Sequence, residues 1–201
     1  SINKSWDISH DLREFIVLID KESNRDQIEY FSQKNKEFFS QIKLEVNNLK
    51  NEKKENLRNL AKKSIELIST NGLDFGDFRG SYFPNYLNNI IINDQLYINE
   101  YIHKSLNGET SLYNKSLSSS KSDKIEKIRS SLLSSYNEIN KTILDVFVLN
   151  SFLSHLPSLS LINLIENKIN KIQNDNNIKL ISKLNSELNS LVKSNDAPLI
   201  Y

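Results

Sequence analysis

The chain has 201 residues, 38% apolar and 25% charged, with no cysteine and no methionine. That length suits one domain with a real hydrophobic core, the apolar share excludes wholesale disorder, and the missing cysteine excludes disulfides and thiolate metal or redox sites. The net charge is +1, with 14 basic and 16 acidic residues in 1–100 against 12 and 9 in 101–201, so bulk attraction to nucleic acid or anionic membrane is excluded too.

Apolar residues recur at helical spacing almost everywhere. Leu12, Phe15, Ile16 and Ile19 follow i, i+3, i+4, i+7, with Asp7 or Ser9 as the natural N-cap. Trp6, just before this segment, reads as a hydrophobic staple, with an exposed contact residue as the other reading. Ser23 or Asn24 caps a second segment, whose stripe runs from Ile28 through Phe31, Phe38, Ile42, Val46, Leu49, Leu57, Leu60 and Ile65 to Ile68. Asn71-Gly72 ends it as a left-handed C-cap. One helix over 25–70 would be about 68 Å long, against a diameter near ~43 Å for a compact chain of this size. A break or bend is therefore expected at the polar run Lys50–Asn56, which reads as a solvated face; without it the molecule is elongated by a long second helix.

A third helical region begins at Pro84 and carries Leu87, Ile90, Ile91, Tyr97, Ile98, Tyr101 and Ile102, with Asn93-Asp94 as a midway re-cap and Gly108 as its end. Residues 109–122, rich in Ser and Lys, predict a loop. From Asp123 a stripe of Ile125, Ile128, Leu132, Tyr136, Ile139, Ile143 and Phe147 predicts a helix to Leu153, which Pro157 keeps from continuing. A fifth helix carries Leu161, Leu164, Ile165, Ile169 and Ile172, and Asp175–Asn177 turns the chain into a sixth with Ile181, Leu184, Leu188 and Leu191. Period-two alternation is missing. The pattern predicts an all-α, single-domain bundle of five to seven helices over 1–195, followed by a tail at 196–201.

Little in the sequence points to catalysis. His10, His103 and His155 fall in different segments without ligand-spaced neighbours, and neither G-x-S-x-G nor G-x-x-x-x-G-K-[ST] occurs. Asp74-Phe75-Gly76 spells the metal-binding tripeptide of protein kinases, but the phosphate loop, strand lysine and catalytic-loop Asp that would give it meaning are missing. No catalytic residue, cofactor or metal site is expected.

The segment Gly72–Tyr86 stands apart. It holds three of the four glycines and five of the eighteen Phe, Tyr and Trp residues. Three glycines in nine positions call for a backbone reason, such as positive φ or close approach of chains. One reading is an ordered inter-helix loop whose rings plug the bundle. The other is a partner-binding loop, with Phe75, Phe78, Tyr82, Phe83 and Tyr86 as aromatic anchors and Asp74, Asp77 and Arg79 as polar handles.

Phe, Tyr, Ile, Asn and Lys together supply 90 residues, whereas Gly, Ala, Arg and Pro supply 14, the mark of an A/T-rich genome. Ser1 in place of methionine predicts a processed or truncated chain, beginning Ser1-Ile2-Asn3-Lys4. The longest apolar runs, Phe15–Ile19 and Val146–Leu149, fall far short of the ~20 residues that span a bilayer. With the helical Ile/Leu/Asn/Lys/Ser pattern and the absence of cysteine, this texture resembles the mature region of plasmid-encoded Borrelia lipoproteins. The resemblance covers the whole chain in texture and transfers no functional positions. It implies an upstream signal peptide ending in a lipidated cysteine, a flexible tether, and a place on the outer surface or in the periplasm. It also implies binding to host extracellular proteins, such as complement and matrix proteins, in immune evasion or adhesion. The expectation is a non-enzymatic, monomeric lipoprotein domain that binds another protein, without nucleic-acid partners and touching membrane only through its anchor. The rival expectation is an intracellular helical scaffold that self-associates.

Overall fold

The computed structural model describes Val17, residues 21–179, Ile181 and Leu184. The fold is all-α. Six α-helices are present among the described residues: α1 Arg25–Ser32, α2 Lys36–Thr70, α3 Tyr82–Asn93, α4 Glu100–Leu106, α5 Ser119–Ser160 and α6 Ile162–Asn176. Short 3-10 turns cover Glu22–Asn24, Phe75–Asp77 and Arg79–Ser81. The expected helix at residues 12–19 apart from Val17, the roles of Trp6 and His10, most of the sixth helix and the tail lie outside the described residues.

The chain divides into two compact units, one from the described parts of 1–43 and 153–201, the other from 44–152. The 44–152 unit builds its core on one face of α5. Ile125, Ile128, Leu132, Tyr136, Ile139, Ile143 and Val146 step by three or four residues and are all buried. Leu57, Ala61 and Ile68 from α2, Phe83, Tyr86, Leu87 and Ile90 from α3, Ile102 and Leu106 from α4, and Leu73, Phe78 and Leu112 from the connecting segments complete it. Each large side chain buried this way contributes roughly 1.5–3 kcal/mol. In the other unit α1 packs on α6. There Ile28 and Ile162 are buried, with Phe31, Leu159 and Ile165 packed around them.

Two helix ends behave as the sequence predicts. At the end of α2, Gly72 takes φ 68°, while its N–H reaches the Ser69 carbonyl at 2.9 Å and that of Leu73 the Ile68 carbonyl at 3.2 Å. This is the paired bonding of a Schellman cap. Asn177 closes α6 at φ 51°.

Three boundaries need correction. The break expected at Lys50–Asn56 falls instead at Gln33–Asn35, where the Asn35 side-chain carbonyl accepts the Phe38 N–H at 3.0 Å and caps α2. α2 then runs unbroken through the polar stretch, because that stretch has partners: Lys53 pairs with Asp145 at 2.8 Å, and Lys54 and Arg58 both reach Asp94 at 2.7 Å. The third helical region is two helices. Asp94 at φ 52° ends α3, and Asn99, not Asn93-Asp94, caps α4 by accepting from the N–H groups of Tyr101 and Ile102. Finally, Pro157 lies inside α5, which continues to Ser160; a proline near a helix end forfeits one backbone bond there without stopping the last turn.

Hydropathy also needs correction. Ser119–Asn176 contains an 18-residue window of mean hydropathy 1.3, long and apolar enough by composition to cross a membrane, and only 11% of it is buried. Runs of unbroken apolar residues miss it, because neutral Ser and Asn interrupt the Leu, Phe and Val. Leu144, Phe147, Val148 and Phe152 are exposed on α5, although the sequence pattern places Phe147 in the core stripe.

Candidate functional site

The Gly72–Tyr86 segment links α2 to α3 inside the 44–152 unit, and short backbone contacts fix its path. The Arg79 N–H reaches the Leu112 carbonyl at 2.9 Å, and Phe78 forms an isolated antiparallel bridge with Tyr113. Asp77 holds the first turn. Its carboxylate accepts the Asp74 N–H at 2.8 Å, and the Lys121 ammonium lies 2.8 Å from both of its oxygens. Burial pushes the Asp77 pKa up, but the Lys121 hydrogen bond, the Asp74 amide and the Lys121 charge together outweigh it and hold the carboxyl below its ordinary range. Asp77 is therefore a structural ion, and its partner Lys121 is recruited from the first turns of α5.

The segment sorts its aromatic rings into two sets. Phe78, Phe83 and Tyr86 are 1–2% exposed and belong to the core. Phe78 meets Phe83 at 6.3 Å between centroids, Phe83 meets Tyr136 at 6.4 Å, and Tyr86 meets Tyr136 at 5.6 Å and Tyr97 at 5.3 Å. The Tyr86 hydroxyl donates to the Tyr97 carbonyl at 3.2 Å, and that of Tyr136 to the Asn99 carbonyl at 2.6 Å. Burial drives the pKa of both phenols upward, the more so for Tyr86. As anchors for a partner, these three rings of the segment are corrected: they plug the core because their flanking backbone turns them inward.

Tyr82 does the opposite and is 57% exposed. The backbone reason is a pair of left-handed residues, Gly80 at φ 55° and Ser81 at φ 51°. A Cβ at position 80 would sit 2.7 Å from the Tyr82 ring, so glycine both permits the turn and makes room for the ring. A non-glycine residue such as Ser81 in this region carries about 1–2 kcal/mol of strain. The result is an outward ring held edge-on to Tyr101 at 5.5 Å and 82°, in a geometry aromatic pairs favour. Arg79 and Asp74 are also exposed, and Phe75 is half-buried.

Of the eight candidate residues, then, Asp77, Phe78, Phe83 and Tyr86 are structural, while Asp74, Phe75, Arg79 and Tyr82 reach the surface. Sequence reasoning missed Tyr101 as the partner of Tyr82, because the two are nineteen positions apart on different helices and only the turn at Gly80-Ser81 brings them together.

The crevice between Arg79, Tyr82, Tyr101 and Ser105 has about 10 Å³ of space, room for one water-sized group. A small-molecule site needs roughly 300–1,000 Å³, so the Tyr82 ring projects from this surface beside a crevice too small to enclose such a ligand. Among the described residues no three His, Asp or Glu side chains gather as metal ligands. His103 lies 3.3 Å from the side chain of Asn107, the residue that caps the C-terminal end of its helix. Compared with protein-family models, curated proteins and solved structures, the chain matches none.

Proposed function

We propose that this chain is a non-enzymatic helical domain that binds another protein through the surface formed by Arg79, Tyr82 and Tyr101. The observation that carries the reading is the Tyr82 ring, exposed yet fixed by Gly80 beneath it and Tyr101 beside it. Fixed Tyr and Arg side chains are the types that dominate protein interfaces, and a ring already ordered loses little freedom on binding. The envelope-lipoprotein reading, with host extracellular or complement proteins as partners, belongs to the same proposal and rests on the compositional resemblance.

A photo-crosslinking residue placed at Tyr82 tests the contact, with the same residue at exposed Lys115 as control, in intact source cells given host plasma and matrix proteins. One discrete adduct at position 82 and none at 115 is the expected result; equal adducts at both, or none at 82, contradict it. Protease shaving of intact cells beside a periplasmic marker tests location. Loss of the protein with survival of the marker supports the outer surface, and full protection overturns host binding.

Self-association is favoured by a separate observation, the exposed Leu144, Phe147, Val148 and Phe152 on one stretch of α5. Light scattering that finds a dimer at micromolar concentration, lost in Phe147→Asp, supports this second reading.

A further inference from the structure

The crevice beside Tyr82 has a charged donor left over. Its floor is Phe83, Ile102 and Leu112, all buried. Its polar rim comes from Arg79, Tyr82, Tyr101, Ser105 and Ser111. Both serines already have acceptors: the Ser105 hydroxyl donates to the Tyr101 carbonyl at 2.9 Å, and that of Ser111 donates to the Tyr113 carbonyl. The Arg79 guanidinium has none. It enters no ion pair or hydrogen bond among the described residues, which include all of 44–152. The acids nearest to it in sequence, Asp74 and Asp77, turn to Lys121 instead, at 3.8 and 2.8 Å.

The backbone that carries this charge is pinned on both sides. The Arg79 N–H is bound to the Leu112 carbonyl at 2.9 Å, and the Arg79 carbonyl accepts the Tyr82 N–H. Across the crevice, Glu100 and Lys104 stand four positions apart on α4, so that wall adds no net charge. A guanidinium offers five N–H donors and no acceptor, in a planar fork that fits a carboxylate. The two phenol hydroxyls add further donors, and an apolar floor strengthens a charge-assisted bond made above it. An opening of about 10 Å³ admits one oxygen-sized group. That suits the tip of an acidic side chain held by a larger partner.

We propose that the partner meets this surface with an aspartate or glutamate side chain, whose carboxylate pairs with Arg79 while flanking residues of its chain lie on the Tyr82 and Tyr101 rings. The inference rests on the protein-binding reading of the same surface and narrows the partner to an acidic segment.

The test is retention of peptide pools by the immobilised full chain. The pools are short peptides, degenerate except at one central position that is Asp, Glu, Asn, phosphoserine or Lys. The Asp and Glu pools should be retained about tenfold more than the Asn pool, the worth of one charge-assisted pair, and the Lys pool least. Arg79→Gln should erase that preference at an unchanged melting temperature, and Tyr82→Ala should weaken retention of every pool. Equal retention of the Asp and Asn pools that still depends on Tyr82 overturns the inference and leaves the protein-binding reading standing. An acid preference that survives Arg79→Gln overturns it too. Stronger retention of phosphoserine than of Asp assigns the crevice to a phosphate and overturns it. Retention of no pool overturns it as well; a discrete crosslink at position 82 in intact cells then keeps the protein-binding reading, and no crosslink there removes both.

Discussion

The two units bury apolar surface in different ways. In 44–152, four helices and the Gly72–Tyr86 segment enclose one continuous core threaded by the stripe of α5. In the other unit the buried cluster among the described residues centres on Ile28 and Ile162. Beside it the described aromatics pack as a closed set of four rings: Tyr30 meets Phe31 at 5.3 Å and Phe38 at 6.4 Å, Phe39 meets Phe38 at 5.4 Å and Phe31 at 6.1 Å, and the Lys34 ammonium sits 4.2 Å over the Tyr30 ring. The contrast teaches where rigidity resides. A surface loop fixed to the first core, as Tyr82 is, can be ordered before any partner arrives.

The sharpest way to break this comparison is to hollow out each core. Leu132→Ala, at a fully buried position of the 44–152 unit, should cost about 3–5 kcal/mol by urea denaturation, because a dense core collapses poorly around a cavity. Ile162→Ala, at a fully buried position of the other unit, should cost about 2–5 kcal/mol. Amide exchange that rises across α1 and α6 and not across α3 and α4 in this variant is the expected observation; an even rise over both units would erase the distinction between them.

The next effect is electrostatic. Asp77→Ala removes the acceptor of the Asp74 N–H and leaves Lys121 without its near partner, so about 1–2 kcal/mol should be lost. The folded pKa of Asp77 is depressed, so its stabilisation is present above the unfolded carboxyl value of about 4 and disappears as pH falls through the folded value. Asp94 behaves alike. The Lys54 hydrogen bond depresses its pKa first, burial opposes, and the charges of Lys54 and Arg58 add to the depression. Urea midpoints measured downward from pH 5 should fall for the wild type and fall less for Asp77→Ala.

The phenols give the opposite sign. Tyr86 and Tyr136 have raised folded pKa values, so their contribution is complete below the unfolded value of about 10 and is lost as pH climbs above it. Both lie in the 44–152 core, so alkaline unfolding should begin there. Amide exchange above pH 10 that opens α3 and the middle of α5 first is the expected observation. Tyr136→Phe should delay the onset, although it also removes the hydrogen bond to the Asn99 carbonyl.

A smaller change sharpens the site itself. Gly80→Ala places a methyl group in left-handed backbone against the Tyr82 ring, and about 1 kcal/mol should be lost. Its effect on partner binding should exceed its effect on stability, because the ring must swing off its seat beside Tyr101. Surface plasmon resonance with a crosslinked partner, read beside thermal melting, separates the two.

Much of the helical pattern was legible because burial leaves a period in the sequence. Every residue of the α5 stripe from Ile125 to Ile143 is buried, and Gly72 and Gly108 do take positive φ at helix ends. The polar run Lys50–Asn56 misled because composition shows charges and not their partners; Asp94 and Asp145 lie forty residues or more away in sequence. The candidate loop was legible as a place, from its glycines and rings, but not in its division of labour. Phe78 and Tyr82 look alike in sequence, and only the left-handed pair Gly80-Ser81 decides which faces in.

That division of the loop is the central claim, and denaturation of Phe78→Ala beside Tyr82→Ala tests it most directly. Phe78→Ala should lose about 3–5 kcal/mol, and Tyr82→Ala at most about 1 kcal/mol, the worth of its edge contact with Tyr101. If Tyr82→Ala destabilises the fold as much as Phe78→Ala, the exposed ring is part of the plug and the binding surface proposed around it does not exist.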